Sequence, residues 1–584
     1  MAQQKRSDLT FNISKFDNFG AWYEEILQLA EVVDKRTTMK GVYVMPPYGC
    51  FMHNATMRAV EDAWVEQDIM HANFPTLIPE TLLSAESGHF AGFVPEVFWV
   101  TKGGNSDLNP KLALRPTSET IIYSTFANWV QSHRDLPLKV QQTCQVFRCE
   151  TKDTSPLIRS REILWNEAHC AHATAEESAE QCRGYWVGYK HVFEDILNVT
   201  GLYIRRPLWD TFPGADYTDV LDIILPNGKV MQSASTHFLG QGFANLFGVK
   251  FSDTEQTPAD KQKELIAAQK AAKKAKQQEK KQKKGDKKEG ESEPAPAEEE
   301  KQEPTEEVVI DHRKAAWMSC AGISTRCVAS VICVHGDDNG LVLPTAAAPF
   351  QIIIIPILRG KADQDKPVIE FSQTVQQILK KAGIRVRIDD GPGKPGPKFF
   401  HWEMKGVPCR IEIGQRDMSQ NSVCCVFRDQ TKDDKFNIPI ADEAGSNAGF
   451  IGRIREEFAR FDERLHKKAI EFQTSHIEKF LEKEQKGETV TIDEIRKTLG
   501  LDTYNPTDKN ADKYPRFDLS KPTVFRVPFI SVGHDGKEPE AILRAATGLE
   551  IRGYDPNEAL PAEGVKCIVT GQQATRYVYC ARAM

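Results

Sequence analysis

The stretch Leu114–Glu119 (LRPTSE) places two hydroxyls and a carboxylate between an apolar strand-like run and an apolar helix-like run. A carboxylate in a cleft can bind a cationic amine through a charge-assisted hydrogen bond, which makes Thr117 and Glu119 candidate ligands of an amine. The alternative is structural: Thr117 or Ser118 caps the helix, and Glu119 lies in its first turn. The spacing alone leaves both interpretations open.

A second cluster is rich in arginine. Strand alternation places Arg148 and Glu150 on one face. A hairpin through Asp153–Pro156 would then return Arg159 and Arg161 to their side. Several guanidiniums over one sheet face suit the bidentate binding of phosphates. The alternative is a ladder of Arg–Glu ion pairs on the surface, which is common and contributes little to stability.

Two further polar runs lie beside apolar segments. Gln232–His237 (QSASTH) closes an apolar strand, and Gly322–Arg326 (GISTR) precedes an apolar run. We predict that this run, Cys327–Val334, and the later Gly340–Leu343 form strands. The small residues before Arg326 would let a nucleotide lie against the backbone, whereas a buried arginine is otherwise usually part of a structural ion pair.

The surrounding pattern predicts the elements that must hold these residues. Apolar spacing indicates an amphipathic helix within residues 16–34, and mixed helical and strand-like patches indicate an α+β unit over residues 41–250. Near Pro349 strands and helices begin to alternate, which is typical of a small α/β domain. The predicted elements are a strand Gln351–Leu358, a helix Ser372–Ala382, a strand Arg385–Ile388, a helix Phe400–Lys405, strands Cys409–Ile413 and Ser422–Phe427, a linking helix striped by Ile454, Phe458, Phe461, Leu465 and Ala469, and strands Thr523–Val527 and Val565–Val569.

Composition bounds the class of protein. The chain has 584 residues, of which 40% are hydrophobic and 27% charged, so it can build several domains with real cores and is not wholly disordered. Residues 261–288 hold twelve lysines against three acids, and residues 289–307 hold nine glutamates against one lysine. No aromatic residue occurs between Thr254 and Ala316. We therefore predict a solvated insertion, helical in its lysine half and disordered in its glutamate and proline half.

Cysteine usage and hydropathy indicate an intracellular protein. The thirteen cysteines include no C-x-x-C pair, as expected of reduced thiols rather than of a disulfide framework. Met1–Thr10 has no apolar region of the secretory type. The longest candidate membrane stretch, Phe350–Leu358, is far shorter than the roughly 20 apolar residues that cross a bilayer. We expect a cytoplasmic protein with no membrane partner.

Taken in order, the motifs RPTSET, RxE, RSREILWNEAH, QSASTHFLGQ and GISTR followed by VHGDDNGLVLP resemble those of prolyl-tRNA synthetases of the archaeal and eukaryotic type. This family of class II synthetases implies an α+β fold, in which an antiparallel catalytic sheet flanked by helices precedes an α/β anticodon-binding domain and a small C-terminal α/β domain. The implied boundaries are 1–253 with 308–346 for the catalytic domain, 254–307 for the insertion, 347–450 for the anticodon-binding domain, and 451–584 for the linking helix and C-terminal domain.

The resemblance also implies the activity: L-proline and ATP give prolyl-adenylate, and the prolyl group passes to the 3′ end of tRNA(Pro) in cytoplasmic translation. Arg148 and Arg326 are the implied catalytic residues, on the α- and γ-phosphates. The implied proline pocket comprises Thr117, Glu119, Arg148, Trp165, Glu167, His169, Phe212 and His237. The implied ATP site comprises Arg148, Glu150, Arg159, Ser160, Gln232, Ser235, Ser324 and Arg326. Glu403 and Lys405 are the implied anticodon contacts.

The family further implies Mg²⁺ with ATP, held through Gln232, and a homodimer built around the segment of Phe74 and Pro75. We expect no structural zinc, because beyond residue 480 the chain offers only Cys567, Cys580 and His534 as candidate ligands, and a zinc site needs four, usually in close pairs.

Two other functions are weighed against this one. A catalytically silent class II-like module that binds tRNA or has a regulatory role would explain Ala321, where the family commonly has Trp, and a C-terminus that departs from the family pattern. A synthetase for threonine or serine is the other alternative. The triplet Thr117-Ser118-Glu119 with Trp165 and His169 favours proline. Proline-dependent exchange between ATP and pyrophosphate discriminates among the three functions.

Overall fold

The computed structural model describes residues 11–37, 39–89, 97–149, 152–252, 313–442, 444–501 and 518–584. The predicted insertion 254–307 lies outside the described residues, as does Glu150. None of the described helices is long and apolar enough to cross a membrane.

Strands form where apolar and polar residues alternate or where β-branched runs are buried. The strands are β1 (Met70–His71), β2 (Leu77–Pro79), β3 (Trp99–Gly103), β4 (Ser106–Leu114), β5 (Leu138–Phe147), β6 (Glu162–His172), β7 (Leu202–Arg205), β8 (Tyr217–Ile224), β9 (Lys229–Gly240), β10 (Lys250–Phe251), β11 (Lys314–Ala315), β12 (Trp317–Ser324), β13 (Ile352–Pro356), β14 (Val386–Ile388), β15 (Cys409–Ile413), β16 (Ser422–Phe427), β17 (Phe436–Pro439), β18 (Ile477–Glu478), β19 (Val524–Phe529), β20 (Glu550–Gly553) and β21 (Arg576–Ala583).

Helices cover the sheets with their apolar faces. The helices are α1 (Phe19–Leu29), α2 (Pro47–Val65), α3 (Glu80–His89), α4 (Glu119–Trp129), α5 (Ala175–Lys190), α6 (Gly242–Phe247), α7 (Arg326–His335), α8 (Ala362–Lys381), α9 (Pro395–Met404), α10 (Gln415–Ser419), α11 (Ala448–Ser475), α12 (Leu481–Lys486), α13 (Ile492–Thr498) and α14 (Lys537–Thr547).

Eleven of the described strands form one large, mostly antiparallel sheet. Its main path runs β1-β5-β6-β12-β9-β21-β19-β18, while β8 pairs with β9, β7 with β8, and β20 with β21. Helices α2, α5 and α7 pack against this sheet over a core that includes Trp22, Trp64 and Tyr185. The indole nitrogen of Trp64 donates to Oδ1 of Asn166 at 2.8 Å, which ties α2 to β6. The sheet is the predicted catalytic architecture.

The predicted anticodon-binding α/β unit is a second sheet of five described strands, ordered β14-β13-β15-β16-β17 and flanked by α8, α9 and α11. Strands β15 and β16 have the bounds predicted from the sequence. The C-terminal α/β unit also forms, and it is not separate from the large sheet. Its last strand, β21, pairs in parallel with β9 through Arg582 opposite Lys229. The C-terminal unit therefore extends the catalytic sheet.

Three predicted strands are wrong. Cys327–Val334 lies within α7, where seven residues in succession, Cys327 to Cys333, are buried. A short run of Val, Ile and Cys suits a helix covered on all sides as well as a buried strand, so periodicity does not separate the two. Gly340–Leu343 pairs with none of the described strands; instead, Leu341 N donates to Met404 O at the end of α9 at 2.9 Å. Val565–Val569 is a turn segment whose bridge joins Lys566 to Gln573.

Candidate functional site

Three neighbouring strands of the large sheet bring several of the predicted site residues onto one face. Trp165, Glu167 and His169 lie two residues apart along β6, so their side chains point to the same face of the sheet. The register on β12 places Ser324 opposite Trp165, Gly322 opposite Glu167, and Cys320 opposite His169. On the other side of β12, Gly322 lies opposite Ser235 and Cys320 opposite His237 on β9. A Cβ built on Gly322 would meet no atom within 4 Å, so open space lies over the middle of this face.

The carboxylate of Glu119 lies at one end of this face, in the first turn of α4. Glu119 is 5% exposed and accepts a hydrogen bond from Thr117 Oγ1. Its other oxygen lies 3.9 Å from the thiol of Cys320. No capping hydrogen bond from the side chain of Ser118 is formed. The arrangement therefore favours a ligand-binding carboxylate over a capped helix end, and a buried carboxylate attracts a cation.

Glu167 and His169 form a buried hydrogen-bonded pair beside Glu119. Nε2 of His169 lies 3.1 Å from Oε2 of Glu167, and Nδ1 lies 2.9 Å from the hydroxyl of Tyr123. Gln142 donates to Oε1 of Glu167 at 2.7 Å. Burial by itself raises the pKa of Glu167, but hydrogen bonds from His169 and Gln142 outweigh burial and hold the pKa below its usual value. Glu167 thus stays ionised and locks the orientation of the His169 ring.

Aromatic rings enclose the space next to these groups. The ring of Phe212 lies 4.8 Å from that of His237, and Thr218 Oγ1 lies 2.9 Å from His237 Nδ1. Burial, with a smaller contribution from His169, lowers the pKa of His237 to about 3, so the imidazole is neutral at physiological pH. Trp165 donates from its indole nitrogen to the sulfur of Cys144 at 3.2 Å. These groups surround a space with mainly aromatic walls and two buried carboxylates, those of Glu119 and Glu167.

The arginines lie beyond Trp165. The guanidinium of Arg148 is 6.0 Å from the Trp165 ring, and its Nε lies 3.3 Å from the carbonyl of Pro116. Arg326 donates to the carbonyls of Ile158 at 2.8 Å and Gln232 at 3.0 Å. Burial, reinforced by the positive charges of Arg159 and Arg148, lowers the pKa of Arg326 to about 10. Such a concentration of positive charge suits a polyanion.

The predicted hairpin also forms, with β5 ending at Phe147 and Arg148 N donating to Arg161 O at 2.8 Å. A cavity of about 420 Å³ adjoins it. Arg159 and Ser160 line this cavity together with Gly41 and Tyr43. Nη2 of Arg159 also donates to the carbonyl oxygen of Met584 at 3.0 Å, so the end of β21 reaches the same place.

Gln232 lies inside β9, which continues past the polar run to Gly240, whereas the sequence predicted that the run closes the strand. The amide oxygen of Gln232 accepts a hydrogen bond from Nη2 of Arg206 at 2.9 Å. The backbone carbonyl of Gln232 holds Arg326. Gln232 thus contacts both Arg326 of α7 and the buried Arg206.

The two predicted anticodon residues lie apart from this face, in and after α9. Glu403 is half-buried, and its carbonyl accepts from Nε of Arg428 at 3.0 Å. Lys405 is buried, donates to Glu31 at 2.8 Å, and has its ammonium 4.7 Å from the Tyr48 ring. Lys405 therefore joins the second sheet unit to the α1–α2 region, where its charge is matched by a carboxylate.

Several residues of the site were missed by sequence reasoning. Gln142 and Cys144 follow from β5–β6 register, which places them opposite Glu167 and Trp165. Strand alternation on β5 was the signal that could have found them. Donor atoms of Glu119, His169 and Cys320 lie within 4.8 Å of one another, a spacing that suits a metal ion. Both ring nitrogens of His169 already have protein partners, so the trio is better described as a hydrogen-bonded pocket wall.

Two family models match parts of this chain. The family model of the tRNA synthetase class II core domain (G, H, P, S and T) matches residues 98–269. The family model of the anticodon binding domain matches residues 351–444. The first match contains the strands of the site up to β10, and the second contains the whole five-stranded sheet.

Curated relatives are similar over most of the chain. A proline–tRNA ligase of Methanopyrus kandleri is 40% identical over 413 residues, covering 70% of this chain and 73% of the relative. A proline–tRNA ligase of Methanothrix thermoacetophila is 34% identical over 584 residues, covering 99% of both. Among solved structures, Giardia lamblia prolyl-tRNA synthetase in complex with prolyl-adenylate has a TM-score of 0.80 and 37% identity, covering 98% of this chain and 100% of that chain. Cryptosporidium parvum prolyl-tRNA synthetase with halofuginone and AMPPNP has a TM-score of 0.77 and 28% identity, covering 100% and 99%.

Proposed function

The chain belongs to the proline–tRNA ligase family of class II aminoacyl-tRNA synthetases, and from this membership we propose that it activates L-proline with ATP and transfers the prolyl group to tRNA(Pro). The observation that carries the proposal is the shared face of β6, β12 and β9. A buried carboxylate lies at one end of this face and three arginines lie near the other. The carboxylate suits the ammonium group of an amino acid, and the arginines suit the phosphates of a nucleoside triphosphate.

In the proposed reaction the carboxylate of proline attacks the α-phosphorus of ATP. The bond to the pyrophosphate leaving group breaks, and prolyl-adenylate forms. A hydroxyl at the 3′ end of tRNA(Pro) then attacks the prolyl carbonyl and releases AMP. No protein nucleophile is needed, because the attacking groups are already nucleophilic and the enzyme supplies position and charge. Arg148 is assigned to the α-phosphate and Arg326 to the γ-phosphate.

Recognition of proline is assigned to the pocket beside Glu119. The secondary ammonium would face Glu119 and Thr117, and the ring would lie among Trp165, Phe212 and His169. His237 and Glu167 complete the wall. Since an apolar pocket distinguishes ligands that differ by one methylene by only about 1–3 kcal/mol, we expect measurable activation of alanine.

ATP is assigned to the arginine side of the face, with Glu150, Arg159, Ser160, Ser235 and Ser324 along it. Gln232 is the residue that would hold Mg²⁺. Its amide oxygen is a hard ligand with two lone pairs, of which Arg206 uses one, and the charge of Arg206 is matched by Asp222. The remaining lone pair of the Gln232 amide oxygen can therefore contact a Mg²⁺ ion whose other ligands are phosphates and water. Bound there, Mg²⁺ would offset phosphate charge.

Binding of tRNA(Pro) is assigned to the unit that contains the five-stranded sheet. We propose the limits 347–450 for this unit, 1–253 with 308–346 for the catalytic unit, 254–307 for the insertion and 451–584 for the C-terminal unit. Glu403 and Lys405 remain the proposed anticodon contacts, and the ammonium of Lys405 is paired with Glu31 in this structure. The proposed location is the cytoplasm, in keeping with thirteen free thiols.

A homodimer is proposed around the segment of Phe74. The Trp129 ring is 48% exposed and lies 5.9 Å from the Phe74 ring. Met70, on the edge strand β1, is 58% exposed, and Leu77 on β2 is also exposed. Exposed apolar groups around an edge strand are typical of a covered interface. Light scattering of the intact chain should give twice its mass, and Trp129→Glu should shift it toward the monomer.

Exchange of pyrophosphate into ATP tests the whole proposal. Proline should support exchange, while threonine and serine should not, and alanine should do so weakly. Aminoacylation of tRNA(Pro) transcript should follow. A protein that binds tRNA but exchanges pyrophosphate with none of these amino acids would be the silent module instead, and preference for threonine or serine would establish the other alternative.

A further inference from the structure

A buried ion cluster lies against the strand that carries Gln232. Asp222 on β8 is fully buried and accepts two hydrogen bonds from Arg206, at 3.1 Å to Oδ2 and 3.0 Å to Oδ1. Oδ2 of Asp222 also accepts from Nε of Arg552 at 2.9 Å. Arg206 and Arg552 are themselves almost fully buried. The carboxylate of Asp222 therefore pairs with two buried guanidiniums, and Asp210 lies 3.5 Å from Nε of Arg206.

This cluster reaches the proposed nucleotide site through one contact. Nη2 of Arg206 donates both to Asp222 and to the amide oxygen of Gln232 at 2.9 Å. A guanidinium has donors and no acceptor, so it fixes which end of the Gln232 amide is the oxygen and where that oxygen points. A neutral partner such as a hydroxyl would leave the amide free to turn.

The same cluster joins the C-terminal unit to the catalytic sheet. Arg552 lies on β20, 330 residues from Asp222 in the chain, and its carbonyl accepts from Nη1 of Arg206. Backbone bonds between Arg205 and Tyr554, at 2.8 and 2.9 Å, hold the two segments in register. Glu550 accepts from Nη1 of Arg552 at 2.6 Å, which fixes the second guanidinium. The orientation of Arg206 thus depends on β20.

We propose that Arg206 is a positioning residue for Gln232, and that Arg552 and Asp222 set the orientation of Arg206, so that the C-terminal unit is a working part of the nucleotide site. This inference rests on the proposed function, in which Gln232 contacts ATP and Mg²⁺. A cluster that served stability alone would affect all substrates alike. A positioning cluster affects the nucleotide and the metal, because the proline pocket lies at the other end of the sheet face.

The first test compares two adjacent arginines in full-length protein. Arg206→Lys keeps the charge beside Asp222 and loses the fork that also reaches Gln232. Proline-dependent pyrophosphate exchange should then show KM for ATP, or the Mg²⁺ concentration for half-maximal rate, raised about tenfold, as expected for the loss of one charge-assisted hydrogen bond. KM for proline should change by less than about twofold on the same reasoning.

Arg205→Lys is the matched control. Arg205 is paired with Asp219 at 2.7 Å between the same two strands, and its guanidinium lies over the Tyr217 ring at 3.7 Å. Its chemistry and location resemble those of Arg206, but its ion pair points away from Gln232. The control should leave KM for ATP and the Mg²⁺ requirement at wild-type values. Equal effects of the two substitutions would overturn the proposal.

Coupling to Gln232 and to the C-terminal unit is measured separately. Arg206→Lys and Gln232→Ala should be strongly non-additive, because the first acts through the second. Arg552→Gln leaves Arg206 in place, which guards against a folding defect in Arg206→Lys, and it should raise KM for ATP in the same direction. Additive penalties, or a lower kcat with both KM values unchanged, would overturn the inference. Absence of proline-dependent exchange in the wild type would instead overturn the proposed function.

Discussion

Arg428 donates to both carboxylate oxygens of Asp337, at 2.9 and 2.6 Å. Arg428 follows β16 of the five-stranded sheet, and its Nε also donates to the carbonyl of Glu403. Asp337 follows α7, the helix that begins at Arg326. A single ion pair therefore joins the unit proposed to bind the anticodon to the helix that begins at the proposed phosphate ligand.

Arg428→Gln should reduce tRNA charging more than adenylate formation. Only charging requires one tRNA to contact both units at once, and loss of a partly buried charge pair costs about 1–3 kcal/mol. We expect charging to fall roughly tenfold with pyrophosphate exchange near the wild-type rate. Arg464→Gln, which breaks a similar bidentate pair with Asp429, is the control. A parallel loss of both activities would contradict this role of the junction.

Arg148→Ala and Arg326→Ala should each lower pyrophosphate exchange by about 10²–10³, the usual effect of removing a donor that stabilises charge in the transition state. Thermal melting must accompany the kinetics, since Arg326 also satisfies the carbonyls of Ile158 and Gln232. Arg183→Ala, on the exposed face of α5, is the control. Exchange near the wild-type rate in either variant would remove that arginine from the site.

Stability should fall as the pH drops below about 6.5. Burial lowers the pKa of His53, His172 and His335 to about 4, and that of His237 to about 3. Between those values and 6.5 the unfolded chain binds more protons, so each histidine destabilises the fold by up to about 1.4 kcal/mol per pH unit on acidification. Thermal midpoints at pH 7.5, 6.5 and 5.5 measure this. His53→Leu should weaken the pH dependence of the thermal midpoint, whereas the control His71→Gln, at an exposed position, should not. A thermal midpoint that is constant over this range would refute the prediction.

Deletion of residues 258–307 should leave adenylate formation unchanged. The insertion is flanked by β10 and β11, which pair through Phe251 and Lys314. The two ends that the deletion joins are therefore already close together. If the lysines of 261–288 contact tRNA phosphates, the salt dependence of tRNA binding becomes shallower, because fewer counterions are released. Replacing those lysines by glutamine, without deletion, is the control for length. An unchanged salt slope would leave a simple linker as the only role.

Purified protein should contain well below one zinc per chain, and chelators should not move its thermal midpoint. Cys567 and Cys580 are both buried in the apolar core of the C-terminal unit. The thiol of Cys580 contacts the carbonyl of Phe525 at 3.3 Å, and burial raises its pKa to about 12, which disfavours the thiolate that zinc requires. Stoichiometric zinc after dialysis would contradict this prediction. The zinc contents of Cys567→Ser and Cys320→Ser would then show which cysteine binds the metal.

Local pattern predicted elements well where one face or both faces of a strand are buried in a regular way. Cys409–Ile413 and Ser422–Phe427 have their predicted bounds, because alternation with a period of two belongs to the strand itself. Cys327–Val334 was predicted as a strand and is a helix. In a segment buried all round, every position is apolar whichever conformation it adopts, so periodicity carries no information there.

The sequence by itself determined the family, through motifs in a specific order, and the shared face of Trp165, Glu167 and His169, since residues two apart on a strand point the same way. Only the tertiary structure decided which strands are neighbours. That choice placed Gln142, Cys144 and Cys320 in the pocket wall, enclosed Lys405 against Glu31, and brought Arg552 across 330 residues to Asp222. Such contacts depend on burying the apolar surface of the whole chain at once, and no spacing within a single segment encodes them.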